Sequence, residues 1–185
     1  ISYIFGPDIS IGVSFPPVVR TDGLVALGAA QAQITNSGLE LYDQTAREIA
    51  AQVTSQARRN YLLDCAPAKA PEEACARNIL ARYGRLLFRR ALTEGELAQM
   101  LVKTNESIAS SKDFYQGIAT GLSGLMISPQ FLFLIENSST PAAEPLDNFE
   151  LASKLSYFLW NGPPDATLLK LTANAIVAFV GVPAR

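Results

Sequence analysis

The chain has 185 residues, of which 49% are apolar and 17% are charged. A chain of this length and composition can bury a substantial core, which excludes disorder over the whole length. Its 15 basic and 17 acidic side chains give a net charge of -2, whereas nucleic-acid-binding domains usually carry a basic excess. Histidine is absent, which excludes Ser-His-Asp and Cys-His catalysis, HExxH zinc sites and His-ligated haem within this chain.

The first 60 residues are predicted to form a loop and then a helix. Pro and Gly turn signals indicate that residues 1–36 are a long irregular segment laid over a helical body. Ser37 and Glu40 have the spacing of a capping box, and apolar residues follow at three- and four-residue intervals. This pattern predicts an amphipathic helix that runs to about Arg59.

The next three helices are predicted from the residues that begin them. Pro71 can occupy the first turn of one helix, Thr93 and Glu96 have capping-box spacing for the second, and Asp113 is a good N-cap for the third. Acidic residues at these starts are interpreted as complements to the helix dipole rather than as catalytic carboxylates. The three helices are expected to bury Cys75, Ile79, Tyr83, Leu86, Leu87, Leu97, Leu101, Ile108, Phe114, Ile118, Leu122, Leu125 and Met126.

Residues 114–135 carry no formal charge, and this stretch raises the question of a membrane span. Its glutamines, glycines and Pro129 favour a buried helix-turn segment instead. Pro129 is expected to stop or kink the helix. Residues 131–135 could form a strand or a short buried helix, because periodicity cannot decide between the two in so short a run.

The last part of the chain is also predicted to be helical. Asp147 and Glu150 have capping-box spacing and begin a helix that is expected to end near Gly162. Asp165 precedes a short last helix, and the apolar residues 175–182 show no clear period. These features predict a mostly α fold, with five or six short helices in an irregular or orthogonal bundle.

Two cysteines, Cys65 and Cys75, enclose a Pro-containing loop that leads into a helix. Their spacing does not fit a zinc ribbon or a Cys-x-x-Cys redox motif, but it suits a disulfide that closes a short loop. The alternative is a pair of buried free thiols in a cytosolic protein, which a flexible Pro-rich loop disfavours. A disulfide would indicate an oxidising compartment, such as the periplasm or the cell surface.

Arginines and aromatic residues give the candidate docking surface. Arg82, Arg85, Arg89 and Arg90 are expected on one side of a helix, where they could bind an acidic partner or a propionate-bearing cofactor. The alternative is ion pairing inside the helical body, with carboxylates that include Glu94, Glu96, Glu136 and Glu150.

Trp160 joins these arginines as a candidate docking residue. Together with Tyr157 and Phe158 it could line a ligand groove, or the three could pack onto Phe131 and Phe133 as core. Helical spacing favours the core interpretation.

Three segments resemble motifs of one group of exported bacterial proteins. Residues 75–93, C-A-R-N-I-L-A-R-Y-G-R-L-L-F-R-R-A-L-T, resemble the pattern C-A-R-x-I-L-x-x-x-x-R-R-A-F-R-R-P-L-T. Residues 124–133, G-L-M-I-S-P-Q-F-L-F, resemble L-x-S-P-x-F-L-Y/F. Residues 146–160, L-D-N-F-E-L-A-S-K-L-S-Y-F-L-W, resemble L-D-D-Y-E-L-A-S-R-L-S-Y-F-L-W. The group consists of large multidomain proteins of unknown function described as planctomycete-type cytochrome c-like proteins.

The resemblance implies export and three helical regions. These are the end of a first domain at 1–60, a disulfide-containing domain at 61–136 and the start of a third domain at 137–185. It strengthens the pairing of Cys65 with Cys75. In such proteins c-type haem sits on a separate module with its own Cys-x-x-Cys-His, so no cofactor is expected in this chain. No catalytic or metal-binding residue can be carried over. The chain is expected to be a fragment, a processed piece or one subunit of something larger.

The leading functional hypothesis is a non-catalytic structural or docking portion of an exported redox assembly, associated with c-type cytochrome modules. The expected partners are other chains or domains of that assembly, with no nucleic acid and no membrane span. One alternative is part of an enzyme acting on an extracellular substrate, whose active site is completed by other domains or chains. Another is an accessory subunit of a membrane energy-transducing complex, with residues 175–182 as an anchor.

Overall fold

The computed structural model describes residues 1–15, 34–65, 72–135 and 146–173, and these residues form helices joined by turns, with no strand among them. The helices are α1 (Ser2–Phe5), α2 (Asn36–Thr54), α3 (Arg59–Leu62), α4 (Glu72–Phe88), α5 (Glu94–Ser111), α6 (Phe114–Met126), α7 (Pro129–Leu132), α8 (Asn148–Trp160) and α9 (Ala166–Ala173). The prediction of a mostly α, irregular bundle is therefore confirmed.

Helix α6 lies at the centre of the fold. It packs against α2, α4 and α5, and we call these four helices the four-helix body. Two glycines of α6 allow this close approach. A Cβ at Gly117 would lie 2.9 Å from the Thr104 carbonyl oxygen, and a Cβ at Gly121 would overlap the Thr104 hydroxyl. Both positions therefore require the absence of a side chain.

The core of the four-helix body is apolar and continuous. Its largest fully buried side chains come from α2, α4 and α6, and they are those of Val53, Leu80, Tyr83, Leu87, Ile118, Leu122 and Leu125. Burial of such side chains stabilises a fold by roughly 1.5–3 kcal/mol each. The apolar periodicity of these helices thus predicted the buried faces correctly, apart from single residues such as Leu39 at the exposed start of α2.

Side-chain caps begin most of these helices. Thr93 and Asp147 each form a capping box with a glutamate three residues later, and Asp113 accepts from the Tyr115 and Gln116 amides, as predicted. The predicted capping box of Ser37 is wrong. The N-cap is Thr35, whose hydroxyl oxygen accepts a hydrogen bond from the Gly38 amide at 3.1 Å.

The N-terminal residues contact the four-helix body, but they are not irregular throughout. Helix α1 occupies Ser2–Phe5, and the Phe5 ring stacks on Tyr83 with centroids 4.9 Å apart. Further along, the Gln52 side chain donates to the Ser10 carbonyl and accepts from its amide. The expected loop therefore contains a short helix in its described part, and residues 16–33 lie outside the described residues.

Helix α2 is shorter than predicted, and the chain turns before the disulfide. It ends at Thr54 rather than near Arg59, and α3 follows after a turn. The predicted disulfide is confirmed: Cys65 and Cys75 are bonded, with their Cα atoms 5.5 Å apart. It joins the chain after α3 to the buried side of α4. Pro71 lies outside the described residues.

Pro129 ends one helix and begins another. Helix α6 stops at Met126, and Pro129 occupies the first turn of the four-residue helix α7. Residues 131–135 are therefore neither a strand nor a buried helix, because α7 ends at Leu132 and Phe133 to Ile135 are exposed. No helix in the described part of the chain is long and apolar enough to cross a membrane.

Helices α8 and α9 pack on each other, and we call them the α8–α9 pair. Asn161, not the predicted Gly162, ends α8, since it adopts a left-handed conformation with φ 51° and its amide donates to the Tyr157 carbonyl. Asp165 accepts from the Leu168 amide at the start of α9. The apolar residues 175–182 lie outside the described residues.

Candidate functional site

Arg89 is the most unusual side chain at the end of α4. It is only 6% exposed and has a left-handed backbone conformation, with φ 61°. Its guanidinium donates to four main-chain carbonyl oxygens: those of Leu87 (3.3 Å), Gln130 (2.6 Å), Phe131 (3.3 Å) and Phe133 (2.8 Å). Arg89 thereby satisfies carbonyl groups at the C-terminus of α7, which have no partner inside that helix.

Burial shapes the electrostatics of Arg89. Desolvation lowers the pKa of its guanidinium, and the electrostatic interaction with Tyr157 of α8 opposes this shift. Carbonyl acceptors and a phenol thus provide the surroundings of a nearly buried cation. Because its donors are used by these main-chain carbonyl groups, the Arg89 guanidinium joins neighbouring segments and is not available to a ligand from solvent.

The next residue, Arg90, forms a bidentate ion pair. Its two terminal nitrogens lie 2.9 Å and 2.7 Å from the two carboxylate oxygens of Glu96. Glu96 also accepts from the Thr93 amide in the capping box at the start of α5. Chiefly because of the bond to Arg90, the pKa of Glu96 is lowered from 4.5 to about 2. The pair therefore links the end of α4 to the beginning of α5.

A cleft of about 110 Å³ lies between the end of α4, residues 130–135 and the start of α8. Its walls are both apolar and charged, and they are formed by Phe88, Arg89, Arg90, Gln130, Leu134, Ile135, Asp147, Phe149, Glu150, Ser153 and Lys154. Its volume is below the range of about 300–1,000 Å³ that is usual for cofactor and drug-sized ligands. The cleft can accommodate water or a small polar group from a partner.

The predicted docking residues do not form one continuous patch. Arg82 pairs with Asp64 beside the disulfide, and Arg85 donates to the Leu169 carbonyl of α9 at 3.0 Å. Trp160 donates from its indole nitrogen to the Pro163 carbonyl at 3.3 Å. Arg89 and Arg90 are brought together at the cleft. The alternative of ion pairing within the body is confirmed for Arg90, and the docking role of the set stays a prediction.

The expected packing of the α8 aromatic residues is wrong. Phe158 is 85% exposed and Trp160 is 47% exposed, so neither is a core residue. The other exposed large apolar side chains of the α8–α9 pair are Leu155, Leu159 and Leu171. The side chains that the pair buries are mostly small or polar, namely Ala152, Ser153, Ser156, Leu169 and Thr172. The pair therefore exposes large apolar side chains that share one side of α8 at i, i+3 and i+4, and we call them the α8 apolar face (Leu155, Phe158 and Leu159).

A second, larger cleft was missed by the sequence analysis. It has a volume of about 410 Å³ and lies between α2 and α6. Its lining is mostly polar and comprises Arg47, Ala51, Thr54, Arg59, Asp113, Tyr115, Gln116, Ala119, Thr120 and Ser123. The two arginines in its lining, Arg47 and Arg59, were the sequence signal for this cleft. They lie in segments whose apolar spacing had been used only to predict buried faces. Only the packing of α2 on α6 brings them near Tyr115.

Metal binding finds no support in the described part of the chain. Among the described residues, no three Cys, Asp or Glu side chains lie close enough together to hold a metal ion. Both cysteines are in the disulfide. The described residues therefore offer no assembled metal centre.

Comparison with known proteins finds two family models. Residues 75–136 match PSD5, a protein of unknown function (DUF1595). Residues 146–176 match PSD4, a protein of unknown function (DUF1592). No curated protein and no solved structure matches the chain. The cleft at Arg89 lies where the two matched segments meet, whereas the predicted domain limits at 60 and 136 stay a prediction.

Proposed function

We propose that this chain is a non-catalytic structural and docking part of an exported assembly that includes c-type cytochrome modules. The observation that carries the proposal is the α8 apolar face. Phe158 is 85% and Leu159 is 65% exposed, although helices usually turn such residues toward a core. Contiguous exposed apolar surface of this kind is typical of protein–protein contact sites.

The composition of the α8 apolar face favours a protein partner. Aromatic residues such as Phe158 are enriched at the centres of protein interfaces. A helix that lies on a membrane surface usually carries several basic residues on its polar side, whereas α8 contains one, Lys154. We therefore assign the face to another polypeptide of the same assembly.

Other observations support the proposed export and the proposed association with cytochrome modules. The disulfide between Cys65 and Cys75 fits an oxidising compartment, because cytosolic thiols are usually kept reduced. The resemblance of residues 75–93 and 146–160 to exported cytochrome c-like multidomain proteins supports a haem-bearing partner. Two matched families of unknown function agree with a part of a larger protein or assembly.

The proposal is tested by photo-crosslinking in the native host. A photoreactive amino acid replaces Phe158 in one strain and Val102 in a control strain. Val102 is an exposed apolar residue on α5, 56% exposed, and therefore controls for apolar exposure alone. We expect the probe at 158, and not the one at 102, to yield an adduct that stains for covalently bound haem.

Three other results would contradict the proposal. Adducts at 158 no more abundant than at 102 would exclude the α8 apolar face as the docking surface. An adduct that contains only a second copy of this chain would show self-association instead. An adduct with a protein that carries no haem, directly or through its complex, would exclude the cytochrome association.

A further inference from the structure

The cleft between α2 and α6 has the volume of a small-molecule site and a mostly polar lining. Its volume of about 410 Å³ falls in the range of about 300–1,000 Å³ that is usual for ligand pockets. Its lining shares no residue with the α8 apolar face.

Arg59 supplies a cation to this cleft. Its guanidinium carbon lies 4.1 Å from the centroid of the Tyr115 ring, a cation–π contact that holds the planar group in place. Within the described residues, no carboxylate lies within ion-pair distance of it. The carboxylate of Asp113, which also lines the cleft, accepts hydrogen bonds from the Tyr115 and Gln116 amides at the start of α6.

Arg47 adds a second guanidinium to the lining. It binds Asp43 through its Nε at 2.8 Å, so this bond does not use its two terminal nitrogens. Two arginines therefore line one cleft, and one of them has no counter-ion there. An anionic group on a ligand is what such a pair recognises best, because arginine binds carboxylates through parallel hydrogen bonds.

Hydroxyl groups in the cleft provide the complementary chemistry. The Thr54 hydroxyl donates to the Ala50 carbonyl at 3.0 Å, and the Ser123 hydroxyl donates to the Thr120 carbonyl at 2.9 Å. Because a hydroxyl has one hydrogen, each of these oxygens keeps the capacity to accept a hydrogen bond. The lining thus offers donors from arginine and acceptors from hydroxyl oxygens.

We propose that this cleft binds a hydroxylated carboxylate of the sugar-acid class. Its carboxylate accepts from Arg59 and Arg47, and its hydroxyl groups donate to Thr54 and Ser123. A neutral sugar would leave the Arg59 cation without a counter-ion. A fully ionised inorganic anion such as sulfate has no O–H group and would leave the hydroxyl oxygens without donors.

Calorimetric titration of the intact, disulfide-bonded chain tests the ligand class. The probes are glucuronate, glucose and sulfate at equal ionic strength. We expect glucuronate to bind at least about tenfold more tightly than either of the others, since one charge-assisted hydrogen bond accounts for a factor of this size. No detectable binding of glucuronate, or equal binding of glucose or sulfate, would overturn the proposal.

Two variants test the residue assignment. Arg59→Gln should weaken glucuronate binding at least about tenfold, and Arg59→Lys, which keeps the charge but loses the planar fork, should have an intermediate effect. Arg77→Gln removes a surface arginine that pairs with Glu94 away from the cleft and should bind as the wild type does. Circular dichroism confirms that each variant is folded. A folded Arg59→Gln variant with wild-type affinity would overturn the assignment.

Discussion

In the four-helix body the large apolar side chains of α6, such as Leu122 and Leu125, are buried, whereas in the α8–α9 pair Phe158 and Leu159 face solvent. Both regions have apolar residues at helical spacing. The body differs because three other helices surround α6, while α8 packs mainly on the short helix α9. Helical periodicity therefore shows which side chains share a face, but the number of neighbouring helices decides whether that face becomes core.

The largest difference is expected from one substitution made in both regions. Leu122→Ala should lower the free energy of unfolding by about 3 kcal/mol, because it leaves a cavity among fully buried side chains. Leu159→Ala should change it by less than about 0.5 kcal/mol, because the side chain is mostly exposed. Urea unfolding monitored by far-UV circular dichroism measures both. Equal losses in the two variants would contradict the comparison.

Reduction of the disulfide should destabilise the four-helix body more than the α8–α9 pair. Opening the bond between Cys65 and Cys75 is expected to cost about 2–3 kcal/mol, the value for a loop of about ten residues. The chain has one tryptophan, Trp160, so its fluorescence reports on α8 while circular dichroism reports on all helices. The dichroism midpoint should shift more than the fluorescence midpoint. A larger shift of the fluorescence midpoint would show that the disulfide stabilises the α8–α9 pair more than the four-helix body, which would contradict this expectation.

A methyl group at the α5–α6 contact should also be destabilising. Gly117→Ala is expected to cost about 2 kcal/mol, since the new Cβ would meet the Thr104 carbonyl oxygen, which cannot move without its helix. Gly95→Ala is the matched control. A Cβ there meets no atom within 4 Å, and the change should be neutral or stabilising by up to about 1 kcal/mol. Thermal unfolding of both variants separates a packing effect from a general effect of replacing glycine.

The smallest effect is expected from the ion pair that links α4 to α5. Glu96 has its pKa lowered from 4.5 to about 2, so its ionised form stabilises the folded state. That contribution is complete above about pH 4.5 and is lost as the pH falls toward 2. We expect about 1 kcal/mol, because solvent screens the pair. Glu96→Gln should flatten the stability profile over this interval. An unchanged profile would show that other groups dominate it.

Much of the fold follows from local signals in the sequence. The caps at Thr93, Asp113 and Asp147 were predictable because a side chain and an amide two or three residues later suffice to form them. Thr35 replaced Ser37 as a cap because several neighbouring hydroxyls can compete for that position. Helix starts were therefore easier to predict than helix ends, where Asn161 rather than Gly162 adopts the left-handed conformation.

The candidate sites were less predictable because they depend on contacts distant in sequence. Arg89 was identified as a candidate docking residue, but three of the four carbonyl groups it binds lie 41 to 44 residues further along the chain. No spacing rule could indicate that carbonyl groups at the end of α7 would surround it. The cleft that contains Arg59 and Tyr115 was missed for the same reason, since it exists only where α2 packs on α6.

The contacts of Arg85 and Arg89 with the α8–α9 pair have a thermal consequence. Arg85 donates to the Leu169 carbonyl, and Arg89 interacts electrostatically with Tyr157. Exposure of apolar surface raises the heat capacity, whereas exposure of polar groups lowers it. Detaching the pair at these arginines should therefore add little to the heat capacity. Cooling weakens the apolar core of the four-helix body and should leave this attachment largely unchanged.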